Sequence, residues 1–322
     1  KNFTAQVPLE FKNGALNYNM SWYYGPAKYE ILNGYERNLD EIMPLGWGIF
    51  GWINRYIFIP VFGFISALGI GYGIAIVLFT ILVRIVMSPV TYKSYLSQAK
   101  MKVLRPEITE LNEKFKDNPM KKQQETMKLY SKAGVNPMAG CLPALMQMPI
   151  FYALFQFFPS MFDLRQKSFL WADDLSSYDS IYQLPFHIPF YGSHVSLFPI
   201  LASIAIFFYM KMTTGDQAMS TPPQEGMPDM GKIMKIMIYI SPIMMLFFFN
   251  NYASGLSLYY FISNLITIGI MLVIKNYIVK EDKIHAQIQE NKTKEKKESK
   301  FQKKMREMME QAEAQKAAQK KK

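Results

Sequence analysis

Residues 72–90 read YGIAIVLFTILVRIVMSPV, and this stretch decides the fold class. Thr80 is the one polar side chain between Ile74 and Val83, and no charge occurs from residue 56 to residue 83. A helix needs about 20 apolar residues to cross the roughly 30 Å hydrocarbon layer of a bilayer. The pattern predicts a membrane-spanning helix over about 71–90, with Arg84 inside it. Three further charge-free runs, 133–162, 180–210 and 236–274, follow downstream. The first two each have room for one crossing, over about 138–161 and 195–212. The third is too long for one helix and carries Asn250-Asn251-Tyr252-Ala253-Ser254-Gly255 at its middle, a turn signal that divides it into 233–250 and 256–278. The expected fold class is an all-α polytopic membrane protein with a five-helix transmembrane core over 69–279. Mean hydropathy over the 322 residues is nevertheless near zero, because the apolar runs alternate with strongly charged segments.

Those charged segments predict the orientation, since lysine and arginine gather in cytoplasmic loops. Residues 93–132 hold ten basic side chains against five acidic, and the tail 280–322 holds fourteen against eight. Residues 163–179 hold two basic against four acidic. With five crossings the first loop and the tail share a side, so the tail is expected in the cytoplasm and the N-terminal part outside. Within the basic loop, Met101, Leu104, Ile108, Leu111 and Phe115 recur at helical spacing. Asp117-Asn118-Pro119 breaks that stripe, and a second helix is expected from 120 to about 132, ended by Gly134 and Pro137. The expectation is a cytoplasmic helical hairpin over 94–137. Residues 38–68 mix Trp47, Trp52, Phe50, Tyr56 and Phe58 with Asn54 and Arg55, which suits an amphipathic helix lying in the lipid–water interface. Upstream, Leu16, Tyr18, Met20, Trp22 and Tyr24 alternate with small or polar residues after Asn13-Gly14. That pattern predicts a strand paired with 3–11 through a hairpin turn. Two strands are not independently stable in water, so 1–37 is expected to be the C-terminal end of a larger, periplasmic β domain and the chain a fragment.

The motifs exclude most catalytic classes. Gly226-Met-Pro-Asp-Met-Gly231-Lys232 has the spacing of a nucleotide-binding loop, but Ile233 stands where a magnesium-binding hydroxyl belongs and no strand precedes it. Gly69, Gly71 and Gly73 open a membrane helix without a βαβ unit. Cys141 is the only cysteine, which excludes an intrachain disulfide and reads as a small hydrophobe. His187, His194 and His285 are not at ligand spacing, and the first two are expected to be solvated beside Pro185 and Pro189. No Ser/His/Asp set, intramembrane carboxylate pair or metal-binding cluster is legible, so the chain reads as a non-enzyme without metal or cofactor. Arg84 is the sharp feature. An arginine at a helix centre costs about 2.5–3.5 kcal/mol on insertion scales. It could snorkel to the headgroups, yet by helix geometry the nine residues to Lys93 span about 13 Å and leave it well inside. Gln147, between Met146 and Met148, is a second buried polar group, which by itself suits a helix–helix hydrogen bond.

These residues resemble the YidC membrane protein insertases. The matching stretches are Thr80-Ile-Leu-Val-Arg84, Met87-Ser-Pro89 and Ala99-Lys-Met-Lys-Val-Leu-Arg-Pro106-Glu-Ile. Val135-Asn-Pro-Met-Ala-Gly-Cys-Leu-Pro143, Gln147-Met-Pro-Ile-Phe151, Leu164-Arg-Gln, Ser254-Gly-Leu-Ser-Leu-Tyr-Tyr260 and Ser263-Asn-Leu continue the match in order. The resemblance implies a multi-pass protein of the bacterial inner membrane whose hydrophilic groove opens to the cytoplasm and to lipid. It implies Arg84, Thr80, Gln147 and Tyr260 as the groove residues that meet a nascent membrane protein. It also implies a substrate-receiving hairpin, a tail that assists ribosome contact, and work either alone or beside the Sec translocon. The competing reading is a transporter or channel with an anion site at Arg84, although no repeat of paired halves is visible. A passive scaffold is a third, in which Arg84 and Gln147 would be superfluous.

Overall fold

The computed structural model describes residues 4, 6, 8, 21–116, 118–136, 142–218, 230–278 and 281–293. The chain divides into two compact units, Lys1–Met43 and Pro44–Lys322. In the first, residues 21–24 carry no regular structure, which corrects the end of the expected strand; the remainder of that β hairpin lies outside the described residues. Gly25-Pro26 interrupts any extended run there. The Tyr23 hydroxyl donates to Pro26 O at 2.9 Å, and its ring meets Tyr35 edge-on at 5.5 Å. Helix α1 (Tyr29–Asn33) and a short 3-10 turn, Leu39–Ile42, follow.

The second unit is helical. Helices α2 (Gly48–Ile53) and α3 (Ile59–Ser66) are joined through a π turn, Asn54–Phe58, into one run. Pro60 has no N–H to complete the α ladder there. The buried Asn54 amide donates to Leu45 O at 2.7 Å and to Ala153 O at 2.9 Å, tying the turn to the next layer. By length and composition Gly48–Ser66 is apolar enough to cross a membrane. Helix α4 (Tyr72–Val103) contains the deciding stretch and continues well past it. Pro89 leaves Ile85 O without its helical donor, and the Ser88 hydroxyl takes that carbonyl at 2.7 Å.

Helices α5 (Arg105–Lys114) and α6 (Pro119–Ala133) form the hairpin. The expected stripe from Met101 to Phe115 is not one helix. It breaks at Leu104, because Pro106 has no N–H to donate to Lys102 O. At the start of α6 the Asn118 side chain accepts from Lys121 N at 3.1 Å. Gly134, with φ of +69°, ends the helix in the left-handed conformation that glycine adopts without strain.

The remaining apolar helices are α7 (Leu142–Ser160), α8 (Leu197–Ala218), α9 (Met230–Phe249) and α10 (Ser254–Val273), the last extended by a π turn over Ile274–Ile278. Together with α4 they fall where the charge-free runs predicted, and the chain is an all-α polytopic membrane protein. Helix α11 (Glu281–Thr293) follows. A small antiparallel sheet, β1 (Tyr182–Ile188) with β2 (Gly192–Val195), precedes α8 and was not legible in the sequence. His194 belongs to it and is buried, not solvated: its Nε2 donates to Asn250 O at 2.8 Å and its ring stacks on Tyr178. His187 is exposed beside Ser193.

At the end of the bundle away from the hairpin, Phe58, Phe62, Phe79 and Phe157 pack ring on ring at 5.3–6.0 Å and are almost fully buried. Tyr259 extends the cluster onto α10. Two glycines permit the tight approach of this layer. A Cβ on Gly73 would strike the Phe169 ring, and one on Gly255 would lie 2.9 Å from Leu175 O.

Candidate functional site: a polar cavity among the membrane helices

Between α4, α7, α8, α9 and α10 lies a cavity of about 450 Å³. Three of these helices carry internal prolines: Pro89 in α4, Pro149 and Pro159 in α7, and Pro242 in α9. Each proline removes one rung from its helical ladder, which favours bending over parallel close packing. On α4 the lining residues Arg84, Met87, Thr91, Ser94 and Gln98 recur at 3, 4, 3 and 4 residues, one face of a helix. On α10 the lining face is Tyr260, Asn264, Thr267 and Met271.

Among the described residues Arg84 is the one charged side chain of the lining, and it is half-buried. Its Nε donates to the hydroxyl of Ser263, which is fully buried. Its charge also reaches the hydroxyls of Tyr209, Tyr259 and Tyr260. Asn264 and Thr267 spend their donors on their own helix, on Tyr260 O at 2.7 Å and Ser263 O at 2.8 Å. Gln147 and Tyr260 approach each other from α7 and α10, yet neither Gln147 Nε2 nor Tyr260 OH has a partner meeting hydrogen-bond geometry. Among the described residues no carboxylate lines the cavity, and its unspent groups include the Gln147 N–H, the Tyr260 hydroxyl and one cation. Such a surface attracts carbonyl oxygens and carboxylates. The rest is adaptable: Met87, Met148, Met210, Met245 and Met271 supply flexible apolar wall.

Residues 63–283 match the family described as 60Kd inner membrane protein. The chain belongs to this family. It is 47% identical over 305 residues to the membrane protein insertase YidC of Parabacteroides distasonis, covering 90% of the chain and 47% of that protein. It is 45% identical over 273 residues to the protein of the same name from Amoebophilus asiaticus, covering 85% of the chain and 44% of the relative. The corresponding Porphyromonas gingivalis protein is 41% identical over 340 residues, 100% of the chain and 53% of its own length. The chain thus spans about half the length of the curated relatives it matches.

For this member of the 60Kd family, three of the four expected groove residues, Arg84, Gln147 and Tyr260, meet at the cavity. Thr80 does not line it; fully buried against the aromatic layer, its hydroxyl donates to Ile76 O at 2.7 Å. It therefore satisfies its own helix instead of solvating Arg84. Sequence reasoning missed Ser263, Asn264 and Thr267, and also the methionine wall. The signal was present as polar residues at three- and four-residue spacing in an apolar helix, and as 23 methionines in one chain.

The far end is closed by a polar bracket. Asn250 Nδ2 donates to Tyr191 O at 2.8 Å and His194 O at 2.9 Å, and Asn250 Oδ1 accepts from Ser196 N at 3.0 Å. Asn251 Nδ2 donates to Tyr191 O at 2.9 Å. Asp179, itself buried, accepts from Trp171 Nε1 and from the Leu197 and Phe198 N–H groups that open α8. Burial raises its carboxyl above the usual carboxylate range, against the pull of those bonds.

Proposed function

We propose that this chain is the core of a membrane protein insertase, which receives nascent hydrophobic segments with their polar flanks and releases them into lipid. The observation that carries this reading is the cavity, where one cation and unspent donors face adaptable apolar wall, with no carboxylate among the described residues. A polar segment crossing hydrocarbon loses its water partners at several kcal/mol per group. A donor-rich recess within the membrane region supplies substitute partners over part of that path. The apolar remainder of the segment then leaves sideways into lipid, and its own burial drives the step without nucleotide chemistry. The relatives' name, membrane protein insertase, supports the same reading.

In this reading Arg84, Gln147 and Tyr260 touch the substrate, and Thr80 supports the α4 wall from behind. The basic hairpin and the tail lie in the cytoplasm, where their lysines suit contact with a ribosome, and the aromatic run 48–66 lies in the outer interface. Work beside the Sec translocon belongs to the same proposal. Reconstituted full chain carrying a photo-crosslinker at Gln147 or Tyr260 tests it. A ribosome-bound nascent membrane segment should crosslink from both positions, and from Ile85 or Val86, which are exposed on another face of α4, far less. Equal crosslinking from all positions would show that the cavity is not the route.

A further inference from the structure

Helix α11 uses its apolar face. Ile284 and Ile288, one turn apart, are buried with Leu104, Ile108, Ala133 and Val135 in a cluster away from the cavity. The polar flank adds directed bonds. Asn291 Nδ2 donates to Ala133 O at 3.3 Å, a carbonyl at the C-terminal end of α6 that its own helix leaves free. Lys292 Nζ donates to both Glu107 oxygens, at 2.6 and 2.8 Å. The base of the hairpin is tied to α4 by Ser97, whose hydroxyl donates to Asn136 O at 2.9 Å.

These contacts close a ring. Helix α4 runs unbroken from its cavity face to Val103, and the hairpin hangs from it through the break at Leu104 and Pro106. On the other side α10, which brings Tyr260, Asn264 and Thr267 to the cavity, leads through the π turn to α11. The hairpin is thus joined to the α4 and α7 walls by the chain and to the α10 wall by α11.

We infer that α11 is a strut setting the position of the α5–α6 hairpin over the cavity, with Ile284 and Ile288 as its anchor and Glu107 and Lys292 as positioning residues. This inference rests on the insertase reading of the cavity. A half-exposed ion pair contributes little attachment, so the apolar pair holds α11 down while the Glu107–Lys292 pair selects its register. With α11 lifted, the hairpin would keep its chain connections at its base and the Ser97–Asn136 bond. It would lose the Ile284 and Ile288 anchor and the Glu107–Lys292 pair, and its orientation relative to Arg84 would be less closely defined. Substrate delivery would suffer even though the membrane helices kept their packing.

The test uses the full chain in lipid nanodiscs and proteoliposomes, in a Cys141→Ser background with spin labels at Glu113→Cys and Gln287→Cys. Unsubstituted α11 should give one narrow interlabel distance. Ile288→Asp, which puts a carboxylate into the apolar cluster, should broaden and lengthen that distance and lower insertion of a single-span substrate by about tenfold or more. Glu107→Lys and Lys292→Glu should each broaden the distance less than Ile288→Asp does and lower insertion by about fivefold at most, the range of a half-exposed pair, and the double exchange should restore both. Broadened distances with undiminished insertion would overturn the inference, as would an unchanged distance in Ile288→Asp. If Ile288→Asp fails to fold, the charge exchange decides: a double variant no better than its singles counts against the strut. A parent protein that holds the narrow distance but inserts nothing would instead strike the insertase reading.

Discussion

Arg84 sits where a charge is costly, and the partner of its Nε is the Ser263 hydroxyl instead of a carboxylate. Among the described residues no carboxylate of the cavity lining neutralises its positive charge. A charge-assisted hydrogen bond contributes about 1.5–3 kcal/mol, so Arg84→Ala should lower insertion of a substrate with an acidic translocated segment by about ten- to a hundredfold. Arg84→Lys keeps the charge but loses the planar fork and should fall between them. Equal insertion by the alanine and parent proteins, at equal folded amounts, would remove the charge from the mechanism. Asp179 is the second residue with a sharp expectation. Because burial raises its carboxyl, the folded protein holds that proton more tightly than the unfolded chain does. Its contribution to stability therefore grows as pH falls through the folded value and is lost as the group ionises above it. Asp179→Asn keeps an acceptor for the α8 N–H groups and does not titrate. Thermal unfolding in detergent from neutral pH down to about pH 5 should show the parent gaining on the asparagine variant. Parallel curves would mean that Asp179 is not titrating in that window.

Among the elements, the helices follow from local chemistry and the small sheet does not. Strands β1 and β2 are short, interrupted by Pro185 and Pro189, and two strands alone are marginal in water. They persist because Asn250 and Asn251, at the turn between α9 and α10, bind backbone groups of residues 190–196. Asn250→Ala would leave the carbonyls of Tyr191 and His194 and the N–H of Ser196 without these partners. Unpaired buried groups cost about 1–3 kcal/mol each, so the variant should unfold at lower temperature and expose 182–195 to protease before the helices are lost. A protease pattern identical to the parent would show that the bracket is dispensable. The hairpin teaches the complementary lesson. Its apolar stripe was legible, but the break at Pro106 placed Met101 on α4 and Leu104 and Ile108 in a cluster completed by α11, sequentially distant.

For the whole molecule, the lysine and arginine distribution sets the expected orientation, with 93–132 and the tail in the cytoplasm and 163–179 outside. Cysteines introduced at Ser177 and Ser299 in a Cys141→Ser background test this in intact cells. Ser177 should react with a membrane-impermeant thiol reagent only from outside, and Ser299 only after the membrane is breached; labelling of Ser299 from outside would reverse the orientation. The sequence by itself placed the apolar helices of the charge-free runs, because the cost of a charge or an unpaired backbone group in lipid is written locally, residue by residue. It did not place the end of α4, whose polar continuation to Val103 lies beyond the apolar run. It also marked Arg84 and Gln147 as out of place. Only the tertiary structure decided that Asn264 and Thr267 share a cavity with them, that Ser263 takes the Arg84 bond and that Thr80 turns away, since which face of a helix meets its neighbours depends on packing across distant segments. For the same reason, only the folded chain could bring Lys292 to Glu107 and Asn250 to His194, pairs whose partners lie 185 and 56 residues apart.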